Sequence, residues 1–205
     1  MKIRSVFSSF AVFAFIACLF HSTAAQPVQE RVIRRLPVEK NEPIEIIDIR
    51  VNGQSVSLDK KFTVDDEWLS SLVFAVKNKS DKRILFASIR LQFPRPIGAP
   101  GNPAIYDMSY GNWALQTRLP NSDERSVGVQ PGETATITLT ARRFADLKDF
   151  LSMAHYPYSI DLVELSIAPA IFDDDTMWYA GAISRRDPKD PTTWINSQYL
   201  NSKPK

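Results

Sequence analysis

The sequence predicts an all-β fold, specifically an antiparallel β-sandwich of about seven strands, Ig-like in the broad sense, with one short amphipathic helix. Three observations carry this. Apolar and polar residues alternate in short runs over most of residues 43–180. Turn-forming clusters such as Asn52-Gly53 and Gln130-Pro131-Gly132-Glu133 separate the runs. One segment, 142–153, switches to helical spacing. A closed β-barrel is the runner-up. No strand–helix–strand rhythm appears, which argues against a Rossmann-type fold, and the Cys…Trp…Cys mark of antibody-type domains is absent. The 205 residues are 44% hydrophobic and 23% charged, with one Cys, 14 Pro and 7 Gly. That composition excludes a wholly disordered, a collagen-like and a disulfide-rich chain.

Taken in order, Ile47, Ile49 and Val51 alternate with Asp48 and Arg50, Asn52-Gly53 supplies a hairpin turn, and Val56 and Leu58 follow at alternate positions. Leu72, Phe74 and Val76 mark the next strand, closed by turn chemistry at Asn78-Lys79-Ser80-Asp81. Leu85, Ala87, Ile89, Leu91 and Phe93 define a long strand that Pro94-Arg95-Pro96 ends, because proline cannot donate to a ladder. Residues 94–131 are the least regular stretch, with a short strand expected over 105–110. Ala135, Ile137 and Leu139 alternate with threonines, which suit a wet strand face. Phe144, Leu147, Phe150 and Leu151 then lie on one helix face, bridging two strands. A strand is expected over 160–167. Phe172, the triple Asp173-Asp174-Asp175 and Thr176-Met177-Trp178-Tyr179 read as strand, tight acidic turn and strand, and a turn-rich tail closes with Trp194.

The first 25 residues read as a signal peptide: Lys2 and Arg4, an apolar run over 10–20, then small and polar residues, with cleavage before Gln26. The run is shorter than the roughly 20 residues a bilayer span needs. The competing readings are an uncleaved anchor and a lipoprotein acylated at Cys18, for which Phe15-Ile16-Ala17 is a poor lipobox. Cleavage removes Lys2 and Arg4 from 25 basic residues and matches the remainder to 23 acidic ones. A neutral mature chain has no electrostatic reason to bind nucleic acid. It also loses Cys18, and with it any disulfide, thiolate nucleophile or cysteine-based zinc site. Residues 26–42 are polar, with Arg31, Arg34 and Arg35 among acidic neighbours, and are expected to form a flexible linker whose arginines are solvated. The folded domain is expected over 43–195 and a disordered tail over 196–205, with no transmembrane segment in the mature chain.

Candidate chemistry is sparse. The acidic turn at 173–175 offers carboxylates for Ca²⁺, but without the EF-hand spacing it reads better as a hairpin turn. Asp65-Asp66-Glu67 reads as a turn or helix start. One carboxylate from each cluster could form a glycosidase pair only if the two lie within roughly 5 to 10 Å of each other. His155 is the only histidine after cleavage, and with no G-x-S-x-G in the chain it reads as a loop or helix-end residue. No P-loop, G-x-G-x-x-G or H-E-x-x-H motif exists, and no cofactor is expected. Asn78-Lys79-Ser80 is a glycosylation sequon that reads as a β-turn. Among the aromatics, Trp178 is expected in the core and Trp194 as a staple for the tail. Tyr106, Tyr110 and Trp113, in the irregular stretch, are the candidate partner-binding residues.

Four stretches recur in a familiar order: Phe62-Thr63-Val64-Asp65-Asp66-Glu67-Trp68-Leu69, Val76-Lys77-Asn78-Lys79-Ser80-Asp81-Lys82, Pro131-Gly132-Glu133, and Phe172-Asp173-Asp174-Asp175-Thr176-Met177-Trp178 with Arg185-Arg186-Asp187-Pro188 behind it. This order resembles a family of uncharacterised exported bacterial proteins typified by an F-D-D-G-T-x-W stretch followed by R-R-D-P. The resemblance implies the β-sandwich and brings no activity. Asp175 stands where that pattern has Gly, and Asp tolerates the left-handed turn conformation better than most residues. The expected function is therefore an exported, periplasmic or secreted, non-enzymatic binding or scaffolding module for a protein or glycan. The alternatives are a carboxylate-dependent hydrolase of extracellular polysaccharide and a calcium-stabilised adhesion module.

Overall fold

A computed structural model describes residues 28–95 and 100–196. The signal-peptide reading and residues 197–205 of the tail lie outside the described residues. Twelve strands occur among those described. They are β1 Gln29–Arg35, β2 Ile44–Val51, β3 Gln54–Ser55, β4 Lys61–Val64, β5 Val73–Asn78, β6 Ile84–Phe93, β7 Ala104–Gly111, β8 Thr134–Thr138, β9 Leu162–Phe172, β10 Thr176–Tyr179, β11 Ala182–Arg186 and β12 Trp194–Asn196. Helix α1 spans Ser122–Ser126 and α2 spans Ala141–Met153. Single 3-10 turns cover Trp68–Ser71 and Trp113–Gln116.

The chain is mostly β and forms two sheets, as expected. The smaller sheet has the order β3-β2-β5-β8 and is antiparallel throughout. The larger is built around β9, which pairs β6 along one edge, with β7 beyond it. On its other edge β9 first pairs β1, with β4 outside, and then β10, β11 and β12 in succession. Ile44, Ile49, Phe74, Val76 and Ile137 from the smaller sheet share one core with Ile33, Ile89, Leu91, Phe93, Val163 and Leu165 from the larger. Helix α2 closes this core with Leu147 and Leu151, and with Phe144 and Phe150 packed against it, on the face read from the sequence. A second, smaller core of Leu85, Phe86, Leu115 and Ile171 lies under Trp194 and Met177.

Several expectations are corrected. The stretch expected as a linker carries a strand in its described part: β1 is inserted between β4 and β9 and buries Arg31 and Ile33. Its pairing with β9 is parallel, Val32 opposite Leu162, so the larger sheet is mixed rather than antiparallel. The strand expected over 160–167 continues to Phe172 through Pro169. It can do so because the ladder to β6 breaks there, Ala87 facing Ala170 and Ile89 facing Ile167, while on the other edge β1 ends at Leu165 and β10 begins at Ala170. Proline's missing N–H falls where no partner asks for it. Ile47 leaves the core side and is 49% exposed, because a bulge between Ile46 and Asp48 shifts the alternation from Ile44 and Ile46 to Ile49 and Val51. The turn-rich tail supplies a further hairpin, β11–β12, and α1 joins the one helix that was expected.

The turn readings hold. Asn52 and Gly53 both have positive φ, 51° and 76°, as the two-residue β2–β3 hairpin requires. Asp175 takes φ 60°.

Candidate functional site

The three aromatics proposed for partner binding do not form one surface. Tyr106 and Tyr110 sit on the inner face of β7 with Met108, half-buried against the main core. Burial raises the Tyr106 hydroxyl pKa, and that hydroxyl donates to the Arg143 carbonyl at 3.1 Å. Only Trp113, 62% exposed, stands free of the core.

The two acidic clusters are also apart. Asp66 and Asp161 both pair with Arg31, at the start of β9, whereas Asp173 follows Phe172 at its end. The 11 residues of β9 span roughly 30 Å at about 3.3 Å each, several times the separation a glycosidase pair needs. The turn carboxylates are engaged locally. Asp174 accepts from the Thr176 hydroxyl at 2.5 Å and pairs with Lys82 at 2.7 Å, and Asp175 pairs with Arg125 at 2.9 Å. Among the described residues no group of three His, Cys, Asp or Glu is placed to hold a metal.

His155 terminates α2. Its φ is 59°, its N–H donates to the Ser152 carbonyl, and the next N–H, of Tyr156, reaches back to the Leu151 carbonyl. This is the 5→2 and 6→1 pair of a Schellman cap. Asn78 is buried. Its amide donates to the Lys82 and Val129 carbonyls at 2.8 Å, and its oxygen accepts from the Ser80 N–H and hydroxyl. The sequon is thus a stapled turn. Trp178 is fully buried with its indole N–H on the Lys40 carbonyl, and Trp194 staples its segment through the Gln116 carbonyl.

The cleft that could take a ligand lies where the 3-10 turn Trp68–Ser71, α2 and the segment after it meet. Trp68 fixes the geometry: it is fully buried, donates to the Ile160 carbonyl at 2.9 Å and meets Phe62 edge-on at 5.4 Å. Tyr156 fixes the far wall by donating to the Phe93 carbonyl at 2.6 Å and accepting from the Ala104 N–H at 2.8 Å. Between them opens a cavity of about 370 Å³ floored by Leu69, Leu147, Leu151 and Ile160 and rimmed by Asp66, Glu67, Lys148, Asp149 and Tyr158. That volume lies at the small end of ligand clefts. Glu67 accepts from the Lys148 ammonium at 2.8 Å and from the Tyr158 hydroxyl at 3.1 Å. These bonds, Lys148 first, hold the Glu67 carboxyl below its ordinary pKa, and Glu67 in turn raises that of Lys148.

Sequence reasoning singled out 65–67 but missed Lys148, Tyr158 and Arg31. The i, i+4 spacing of Phe144 and Lys148 was the available signal for the first. Arg31 had none, because nothing in a charged stretch marks one arginine for burial.

Comparison with known protein families, with curated proteins and with solved structures finds no match.

Proposed function

We propose that the protein is an exported, non-enzymatic binding module, a β-sandwich that is Ig-like in the broad sense, whose ligand occupies the cleft between α2 and the Trp68–Ser71 turn. One observation carries the reading. The cleft offers an aliphatic floor, while two of the three carboxylates of its rim are already engaged: Glu67 by Lys148 and Tyr158, and Asp66 by Arg31. A carboxyl held below its ordinary pKa is a poor proton donor near neutrality, so the rim suits recognition better than general acid catalysis. Two sheets facing one core support the sandwich. Among the described residues no helix is long and apolar enough to cross a membrane. The export signal read at the N-terminus and the likeness to exported bacterial proteins support the location.

Methyl-resolved NMR tests the cleft. Small apolar fragments are expected to shift the resonances of Leu69, Leu147, Leu151 and Ile160 together, and Ser152→Trp, at an exposed lining position of α2, should abolish those shifts. Shifts spread over other methyls, or undiminished in Ser152→Trp, would refute the assignment. Export is tested separately by the mature N-terminus, expected at Gln26.

A further inference from the structure

We infer that the cleft recognises an organic ammonium carried on an aliphatic chain, and that Lys148 is its built-in surrogate, seated in the cation site until a ligand displaces it. The inference rests on the cleft being the ligand site and names the ligand's chemistry. The Lys148 ammonium lies 5.1 Å from the Tyr158 ring centroid, 5.5 Å from that of Phe144, and 2.8 Å from the Glu67 carboxylate. Two ring faces and a carboxylate around one ammonium are the elements of an aromatic cation cage, in which each ring acts within about 6 Å. This cage opens directly onto the aliphatic floor, since Phe144, Tyr158, Glu67 and Lys148 all line the same cavity as Leu69 and Ile160.

The charge balance selects the occupant. Asp66 is paired with Arg31 behind the wall and Glu67 with Lys148, while the third lining carboxylate, Asp149, forms no ion pair with any described residue. The cavity is therefore net negative around an apolar floor, which complements a cation with an apolar tail and repels an anionic one. Lys148 is held by one hydrogen bond and its side chain is 41% exposed, so it can swing into water on its four-carbon stem. An incoming ammonium would take over the same rings and carboxylate and add a tail along the floor, which the short reach of Lys148 from the rim does not fill.

The test titrates hexylammonium and its neutral counterpart hexan-1-ol into the wild-type protein, Lys148→Ala, and Lys148→Ala/Glu67→Gln, following the Leu69 and Ile160 methyl resonances. Lys148→Ala should bind hexylammonium at least about tenfold more tightly than wild type, and adding Glu67→Gln should remove that gain. Hexan-1-ol should not distinguish the three proteins. A blocked lysine peptide run beside hexylammonium separates a partner's lysine side chain from a free amine, the source being whichever gains more from Lys148→Ala. Equal hexylammonium affinity in wild type and Lys148→Ala, or an equal gain for hexan-1-ol, overturns the inference while leaving an apolar binding cleft. Absence of binding by any probe to any of the three folded proteins overturns the cleft assignment as well.

Discussion

The buried Arg31 gives the most demanding test of the fold. Its side chain is 0% exposed, and its guanidinium meets Asp66 at 2.5 Å, the Ser159 hydroxyl at 2.7 Å, and Asp161. Replacing it by Met keeps an apolar stem in place and leaves the carboxylates behind. Asp161 is 71% exposed and returns to water at little cost, whereas Asp66 is 13% exposed and stays buried without a counter-charge. Removing one partner of a buried pair costs about 3–5 kcal/mol, and with one orphan rather than two the lower end, about 3 kcal/mol, applies. For a chain of this size that is a fall of about 6–12 °C in Tm. Adding Asp66→Asn removes the orphan charge, so the double variant should recover about 2 kcal/mol relative to Arg31→Met. Urea denaturation with an unchanged m-value is the assay. A loss below about 1 kcal/mol for Arg31→Met, or a double variant less stable than Arg31→Met alone, would refute the claim that an uncompensated charge on Asp66 dominates the cost.

Four further outcomes are expected. Gly111→Ala should cost more than about 2 kcal/mol in urea melts, because its φ is +79° and a Cβ would meet the Leu85 carbonyl oxygen at 2.2 Å; Gly132→Ala, at φ +80° with nothing within 4 Å, should cost only about 1 kcal/mol. The Glu124 carboxyl, hydrogen-bonded first by Arg118 and then by the Asn121 N–H in the α1 capping box, should titrate at about 2 by NMR rather than at its ordinary 4.5. Since its folded pKa is depressed, the contribution to stability is complete above 4.5 and is lost as pH falls toward about 2, and Arg118→Gln should raise the midpoint. Asp175→Gly should change stability by less than about 1 kcal/mol in thermal melts, since losing a partly exposed pair with Arg125 offsets relief of the φ of 60°. Millimolar Ca²⁺ should leave Tm unmoved, because the turn carboxylates at 174 and 175 already hold Lys82, Thr176 and Arg125; a rise on adding Ca²⁺ would show a site that the geometry gives no reason to expect.

What the sequence revealed and what it hid follow from the range of each signal. The period-two runs at 72–76 and 85–93 and the helical face of 144–151 were readable because burial on one face imposes a local period. Asn52-Gly53, Asn78 and His155 were readable as turns or ends because positive φ and side-chain-to-backbone bonds are settled within a few residues. β1 was hidden because what makes Gln29–Arg35 a strand is a pair of distant neighbours, β4 and β9, and a guanidinium whose carboxylates lie 35 and 130 residues away. The extension of β9 through Pro169 was hidden because proline's tolerance there depends on a break in the ladder of another strand. The aromatics of β7 misled for a similar reason. Irregular composition around them suggested exposure, while pairing of Ala104–Gly111 with β6 turned Tyr106 and Tyr110 inward.

The hidden strand and the cleft meet in one residue. Asp66 lines the cavity with Glu67, and it is also the carboxylate that Arg31 of β1 holds in place. Glu67 follows directly and leads into the Trp68–Ser71 turn, whose Leu69 forms part of the floor. Docking of β1 between β4 and β9 therefore sets the position of the cleft's acidic wall, while α2, anchored by Leu147 and Leu151, sets the wall that carries Lys148. A variant that loosens β1 should weaken any ligand of the cleft before it unfolds the smaller sheet, because β2, β3, β5 and β8 make no ladder with β1. Arg31→Met supplies that variant. Its ligand affinity and its global stability should fall together only if Asp66 is the mechanical link between them, and a protein that loses stability yet keeps full affinity would separate the strand from the site.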